Sequence, residues 1–253
     1  MTADGTTGRK FGPARPAAAE VRVVTYNIHR GAGLWRRRNL DRVAAVVRTL
    51  DADIVALQEI EVRPGTPSGD QVRHLADTLG MHAVEGPAMR DEHGTYGNAV
   101  LSRLPVENSR SSLFIIEGGE PRSIVEMDVG WGSGPPLRVL ATHLDLQRAA
   151  RARQLEEVID FIGACDEAPL VLMGDLNEWW PWSGGMARLG ECLELLAPAA
   201  TFPSFLPCLA LDRIALRGCR AVSPPRAYRE GAARHASDHL PLYVDIVAGP
   251  PVT

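Results

Sequence analysis

An excess of positive charge is missing from this chain of 253 residues. Lys and Arg number 27 against 31 Asp and Glu. No overall cationic field therefore gathers DNA, RNA or anionic membrane non-specifically, and any bound phosphate has to be held locally. Lysine itself is almost absent, with Lys10 the exception among the basic residues, and the bias toward arginine reads as compositional background. Paired cysteines are missing too. Cys165, Cys192, Cys208 and Cys219 form no C-x-x-C pair and have no histidine at zinc-finger spacing, which points to a reduced, cytoplasmic protein without such a zinc site. No apolar run approaches the ~18 residues of a membrane span, and residues 1–20 lack a signal-peptide core. The expectation is a protein with no transmembrane segment and no export signal.

What is present is an ordinary globular composition, 45% hydrophobic, long enough for one large domain or two small ones. Residues 1–20 carry Gly, Pro, Thr and Ala without an apolar period and read as a flexible N-terminal tail. Residues 21–249 read as one catalytic α/β domain. The β-branched run Val21–Tyr26 predicts a buried strand that stops at Asn27, and Ile54–Leu57 predicts a second that runs into Gln58 and Glu59. Further strands are expected at 99–101, 123–129, 137–142, 170–173, 212–216 and 242–247. Leu40, Val43, Val46, Val47 and Leu50 recur at helical spacing behind Asn39, a suitable N-cap, and Leu155, Val158, Ile159 and Ile162 mark a helix over 154–162. The economical architecture is a four-layer α/β sandwich: two mainly antiparallel sheets face to face with helices outside.

The apolar runs end on residues of one chemical kind: Asn27, Glu59, His143 with Asp145, Asp175 with Asn177, Asp212, and Asp238 with His239. If these ends converge, the carboxylates repel one another unless a cation is present, and an oxygen-rich set favours Mg²⁺ or Mn²⁺ over zinc. Each residue alone is more often a simple turn former after a strand. Their company is the informative part.

In order along the chain, Thr25-Tyr26-Asn27-Ile28-His29, Leu57-Gln58-Glu59, Tyr96-Gly97-Asn98 running to Arg103, Thr142-His143-Leu144-Asp145, Gly174-Asp175-Leu176-Asn177, Leu211-Asp212-Arg213-Ile214 and Ser237-Asp238-His239 resemble the endonuclease/exonuclease/phosphatase superfamily of metal-dependent phosphohydrolases. The resemblance spans about Val21 to Val247. It implies that Glu59, Asn27 and Asp238 lie at the metal and that His239 pairs with Asp212. It further implies that Asp175 and Asn177 face the attacking water and the phosphoryl oxygens. His143 resembles the second histidine of the deoxyribonuclease and sphingomyelinase branches and sets the chain apart from abasic-site endonucleases. Asn98, Arg122, Asp145 and Trp179 are the candidates for substrate contact. Arg213 follows Asp212 where many relatives carry tyrosine or histidine, a departure on the expected substrate side.

The chemistry agrees with those roles. An anionic phosphoester resists hydroxide, so a catalyst neutralises charge, aligns a water in line and supports the leaving oxygen. Two features bear on substrate. Glu178-Trp179-Trp180-Pro181-Trp182 places three tryptophans beside the phosphate site, suited to a base, to a lipid interface or to packing under their own loop. Trp35-Arg36-Arg37-Arg38 is the one dense basic cluster, suited to a second phosphate or lipid head group, although a short charge run is more often a solvated face. The combined expectation is a monomeric phosphodiesterase on a phospholipid-type or small soluble diester, with peripheral lipid contact and no strong nucleic-acid binding. A nuclease and an inactive phosphate-binding module are the alternatives.

Overall fold

The computed structural model describes residues 20–33, 37–65, 69–132, 134–180 and 182–249. Residues 1–19 of the expected tail, with Trp35, Arg36 and Pro181, lie outside them. The chain runs β1 (Glu20–Asn27), α1 (Leu40–Leu50), β2 (Ile54–Val62), α2 (Gln71–Leu79), β3 (His82–Asp91), β4 (Gly94–Ser102), β5 (Val106–Phe114), β6 (Arg122–Val129) and β7 (Leu137–His143). It continues through α3 (Arg148–Gly163), β8 (Leu170–Asp175), α4 (Gly184–Cys192), β9 (Glu194–Leu195), β10 (Asp212–Arg217), β11 (Cys219–Ala221), β12 (Arg226–Ala227), α5 (Ala233–Ala236) and β13 (Leu242–Ala248).

One sheet has the order β11-β13-β1-β2-β4-β3, with β12 also on β13, and the other has the order β5-β6-β7-β8-β10-β9. Each is antiparallel apart from one parallel pair, β1 with β2 and β7 with β8. A helix makes each of those parallel crossovers, α1 in the first and α3 in the second. The apolar runs are continuous because each sheet is buried on both faces. Val21 and Val23 of β1 and Val171 and Met173 of β8 point into the core between the sheets. Val24 and Tyr26 pack outward on α1 and α2, while Leu170 and Leu172 pack outward on α3 and α4. This period-two division produces the expected four layers.

Local sequence explains the helix starts. The Asn39 side chain accepts from Arg42 N at 2.9 Å and caps α1. Helix α3 begins at Arg148, earlier than the expected 154. Its first turns carry Arg148, Arg151 and Arg153, which show no apolar stripe to a reader of the sequence. Strands β3 and β5 were not anticipated either: β5 is an edge strand with most of its residues exposed, so its sequence VENSRSSLF lacks the burial that makes a strand legible.

Candidate active site

Strand register assembles the site. On one sheet His143 pairs with Asp175 across β7 and β8, and Asp175 pairs with Asp212 across β8 and β10, so the three stand side by side. Gly174 makes the parallel pairing close enough: a Cβ there would stand 1.9 Å from the Thr142 carbonyl oxygen. On the other sheet Asn27 pairs with Gln58. The β2–β4 ladder then breaks between Leu57 and Ile60, and Glu59 sits in that bulge with φ 58, which re-aims its side chain. Asn177 also takes the left-handed conformation, φ 50, just past β8. Asp238 and His239 precede β13, which runs antiparallel to β1 and so brings them to the same rim.

The side chains interlock. Asn27 Nδ2 donates to Glu59 Oε1 at 3.1 Å and to Asp175 Oδ2 at 3.0 Å, bridging the two sheets. Asn177 N donates to Asp175 Oδ1 at 3.0 Å, and Asn177 Nδ2 donates to Leu144 O at 2.8 Å. His239 Nδ1 lies 2.9 Å from Asp212 Oδ2, which also accepts from the Thr201 hydroxyl. Asp212 has no exposed surface. His239 Nε2 lies 3.6 Å and His143 Nε2 3.7 Å from the same oxygen, Asp175 Oδ2. Ser237 Oγ donates to Asn27 O at 2.7 Å and so locks the turn before Asp238 onto β1.

The two histidines are driven in opposite directions. Burial is the largest influence on His239 and works to lower it, but Asp212, Asp175 and Asp238 together outweigh burial and raise the imidazole to about 10. It is a cation at neutral pH. Burial pushes His143 down to about 4, with Arg122 and His239 assisting and Asp175 opposing. His143 is therefore neutral. Arg122 Nη1 lies 3.4 Å from His143 Nδ1 and Asn177 Nδ2 lies 3.2 Å from Nε2, and both groups can only donate, so a donor stands at each ring nitrogen and the neutral ring accepts from one of them.

Asn27, Glu59, Arg122, His143, Asp175, Asn177, Trp179, Asp238 and His239 line one cleft of about 510 Å³. Three of the expected residues are absent from its wall. Asp212 stands behind His239. Asp145 Oδ1 accepts from Gln147 N and Oδ2 from Glu120 N, so its carboxylate braces the start of α3 and the β5–β6 connection. Asn98 donates to Ser123 O and Oγ between the sheets and is buried there. Arg213 is also turned from the substrate side. Its side chain is buried and donates to Glu178 O, supporting the base of the tryptophan loop. The sequence reading missed Arg30, Tyr96 and Glu120 as lining residues. Arg30, in the turn after β1, stacks over the Tyr96 ring of β4 at 4.9 Å, a pairing that no local motif announces.

The donor set suits a hard cation. Glu59, Asp175 and Asp238 face the cleft together, and three carboxylates in one cleft are stabilised by a divalent ion bound by oxygen. Asp175, Asp212 and His239 also offer three ligand atoms within 4.8 Å of one another. Placing an ion among those three would break the buried 2.9 Å Asp212–His239 contact, so the Glu59 side is the better cation site.

The model of the "Endonuclease/Exonuclease/phosphatase family" matches residues 24–239. The "Uncharacterized protein YbhP" of Escherichia coli (strain K12) is 34% identical over 242 residues, covering 89% of this chain and 95% of the relative. Among solved structures, an endonuclease/exonuclease/phosphatase from Beutenbergia cavernae superposes with a TM-score of 0.74 at 25% identity, over 92% of this chain and 72% of its own. A mannosyl-6-phosphatase of Bacteroides thetaiotaomicron shares the fold at a TM-score of 0.66 and 17% identity, over 90% and 99% of the two chains.

Proposed function

Since this chain belongs to the endonuclease/exonuclease/phosphatase family, whose members hydrolyse phosphoesters, we propose that it is a Mg²⁺- or Mn²⁺-dependent phosphodiesterase. The observation that carries this reading is the geometry around Asp175, whose Oδ2 stands 3.6 Å from His239 Nε2 and 3.7 Å from His143 Nε2 and is tied through Asn27 to Glu59 across the two sheets. A carboxylate base beside an imidazolium acid supplies both proton-transfer partners at one pH.

Glu59, with Asn27 and Asp238 beside it, would hold the ion, and the ion when bound would neutralise phosphoryl charge and lower the barrier to attack by water. Asp175 accepts the proton of the attacking water and orients it. Asn177, fixed by Leu144 O, borders the developing charge. His239, kept protonated and in one tautomer by Asp212, donates to the phosphoryl or leaving oxygen. Arg122 and neutral His143 bind a phosphoryl oxygen without adding a second proton donor of high acidity.

For the substrate we favour a phospholipid-type or small soluble diester. Trp179, Trp180 and Trp182 are 54, 51 and 77% exposed, and Leu146, Phe205 and Leu206 on neighbouring loops are exposed as well. Trp179 and Leu146 reach the cleft itself. An apolar rim of this kind suits the boundary of a lipid layer. No helix among the described residues is long and apolar enough to cross a membrane, and the free thiols of Cys165, Cys192, Cys208 and Cys219 suit a reducing compartment such as the cytoplasm. A nuclease is the second reading, since Trp179 also offers a ring on which a base could stack; it requires strongly salt-dependent nucleic-acid binding with no response to lipid.

The test is hydrolysis of bis(p-nitrophenyl) phosphate beside the monoester, with EDTA, Mg²⁺ or Mn²⁺, by the parent protein and His239→Ala. Metal-dependent diester cleavage that falls at least ~100-fold in the variant supports the reading. Equal rates in both proteins would overturn it.

A further inference from the structure

Beside the catalytic cleft lies a second open cavity of about 480 Å³, and the two share Arg30, Met89 and Tyr96 in their walls. At its base sits Glu61, 2% exposed. Three arginines converge on that one carboxylate. Arg30 Nε and Arg63 Nη2 each lie 3.3 Å from Oε1, and Arg38 Nη1 lies 2.8 Å from Oε2. Three guanidinium groups around one carboxylate leave a local surplus of two positive charges. Their side chains remain 44, 44 and 39% exposed for Arg30, Arg38 and Arg63, and the cavity wall adds Arg90 and Asp91, whose charges offset each other and leave that surplus in place.

The arrangement is built rather than incidental. His29 and Arg30 both have left-handed backbone, with φ 45 and 56, a conformation that costs a non-glycine residue about 1–2 kcal/mol. The buried Gln71 side chain holds the strained turn in place. Its Nε2 donates to Arg30 O at 3.0 Å while its Oε1 accepts from Glu61 N at 2.9 Å. One amide thus registers Arg30 against Glu61, and the Tyr96 ring fixes the guanidinium from the other side. Backbone strain that is pinned from several directions is characteristic of ligand clamps. Arginine forks match phosphate oxygens in pairs.

We propose that Arg30, Arg38 and Arg63, gathered on Glu61, form a second anion site that takes a phosphate group next to the one hydrolysed in the cleft. The site itself does not depend on the phosphodiesterase reading, which enters only in placing the second phosphate on the same substrate. The ligand chemistry is a phosphate oxyanion, carried by the substrate or free in solution.

Isothermal titration of inorganic phosphate into the metal-free protein in EDTA at low ionic strength tests the site apart from catalysis. The parent should bind phosphate saturably. Arg63→Gln and Arg38→Gln should each weaken it at least ~5-fold, Arg63→Lys should recover part of the loss, and Arg226→Gln, on β12, should leave affinity unchanged. Circular dichroism confirms that the variants fold. No binding by the parent, or affinity equal to the parent's in both glutamine variants, overturns the proposal. The source of the phosphate follows from turnover of thymidine 5′-(p-nitrophenyl phosphate) with and without a 3′-phosphate. A KM lowered by the 3′-phosphate in the parent but not in Arg63→Gln assigns the site to the substrate. Saturable binding of inorganic phosphate with no such KM effect assigns it to free phosphate and discards the substrate-borne form.

Discussion

Replacing Asp212 with asparagine keeps the shape of the buried relay and removes its charge. The 2.9 Å contact to His239 Nδ1 is fully enclosed, and a buried hydrogen bond to a charged partner is worth about 1.5–3 kcal/mol. If that energy is expressed in the transition state, kcat falls by roughly 10- to 150-fold at 1.36 kcal/mol per decade. Asparagine can place its carbonyl oxygen where Asp212 Oδ2 stands and there accept from both His239 Nδ1 and the Thr201 hydroxyl, so the fold should persist. The same change withdraws the foremost of the carboxylates that raise His239 to about 10. The His239 pKa, followed by NMR on the metal-free protein, should drop toward its ordinary value. Stability responds with a definite sign. A histidine whose pKa rises on folding stabilises fully below its unfolded value near 6.5 and loses that contribution as pH climbs through 10. Asp212→Asn should therefore destabilise the protein more at pH 7 than at pH 11, read from urea midpoints. A folded variant with kcat within threefold of the parent and an unmoved His239 pKa would refute the relay.

Other perturbations have equally definite outcomes. Glu59→Gln should weaken Mn²⁺ binding at least ~10-fold by electron paramagnetic resonance titration, because it removes a charged ligand while keeping the bond from Asn27; unchanged affinity would place the ion elsewhere. His143, lowered to about 4, is easier to protonate unfolded than folded, so the metal-free parent should lose up to about 3 kcal/mol as pH falls from 6.5 to 4. His143→Asn should lack that part of the acid sensitivity in urea titrations at several pH values. Gly174→Ala forces a Cβ onto the Thr142 carbonyl and should lower Tm by at least ~6 °C, whereas Gly184→Ala, which meets nothing within 4 Å, should leave Tm near the parent's.

The β1, β2, β7 and β8 strands were legible because burial on both faces gives near-continuous apolar runs ending on polar residues, and β13 because its buried residues alternate. Their ends marked most of the cleft, since Asn27, Glu59, His143 and Asp175 each close or follow such a run and His239 stands just before β13. Asp145 and Asn98 misled because a polar residue beside a motif has the same appearance whether it faces the cleft or braces the loop behind it. Asp145 is consumed by two backbone N–H groups, and the Asn98 amide nitrogen by Ser123. Arg213, which left the lining of the substrate side open in the sequence, is turned by alternation along β10 to the face opposite Asp212, under the tryptophan loop. Arg30, Glu61 and Gln71 gave no signal because their association is wholly tertiary, drawn from a turn, a bulged strand and a helix distant in sequence.

Each sheet contributes one half of the cleft. The crossover β1-α1-β2 supplies Asn27 and Glu59, and the crossover β7-α3-β8 supplies His143 and Asp175. The Asn27–Asp175 hydrogen bond is a strut across the seam between them. The gap between the cation half and the proton-transfer half is therefore set by the thickness of the apolar filling beneath, by residues such as Val23, Ala56, Ala141 and Met173. A larger side chain there acts as a shim that wedges the halves apart, and a smaller one lets them settle together. The interior of the molecule is the gauge block for chemistry performed at its rim.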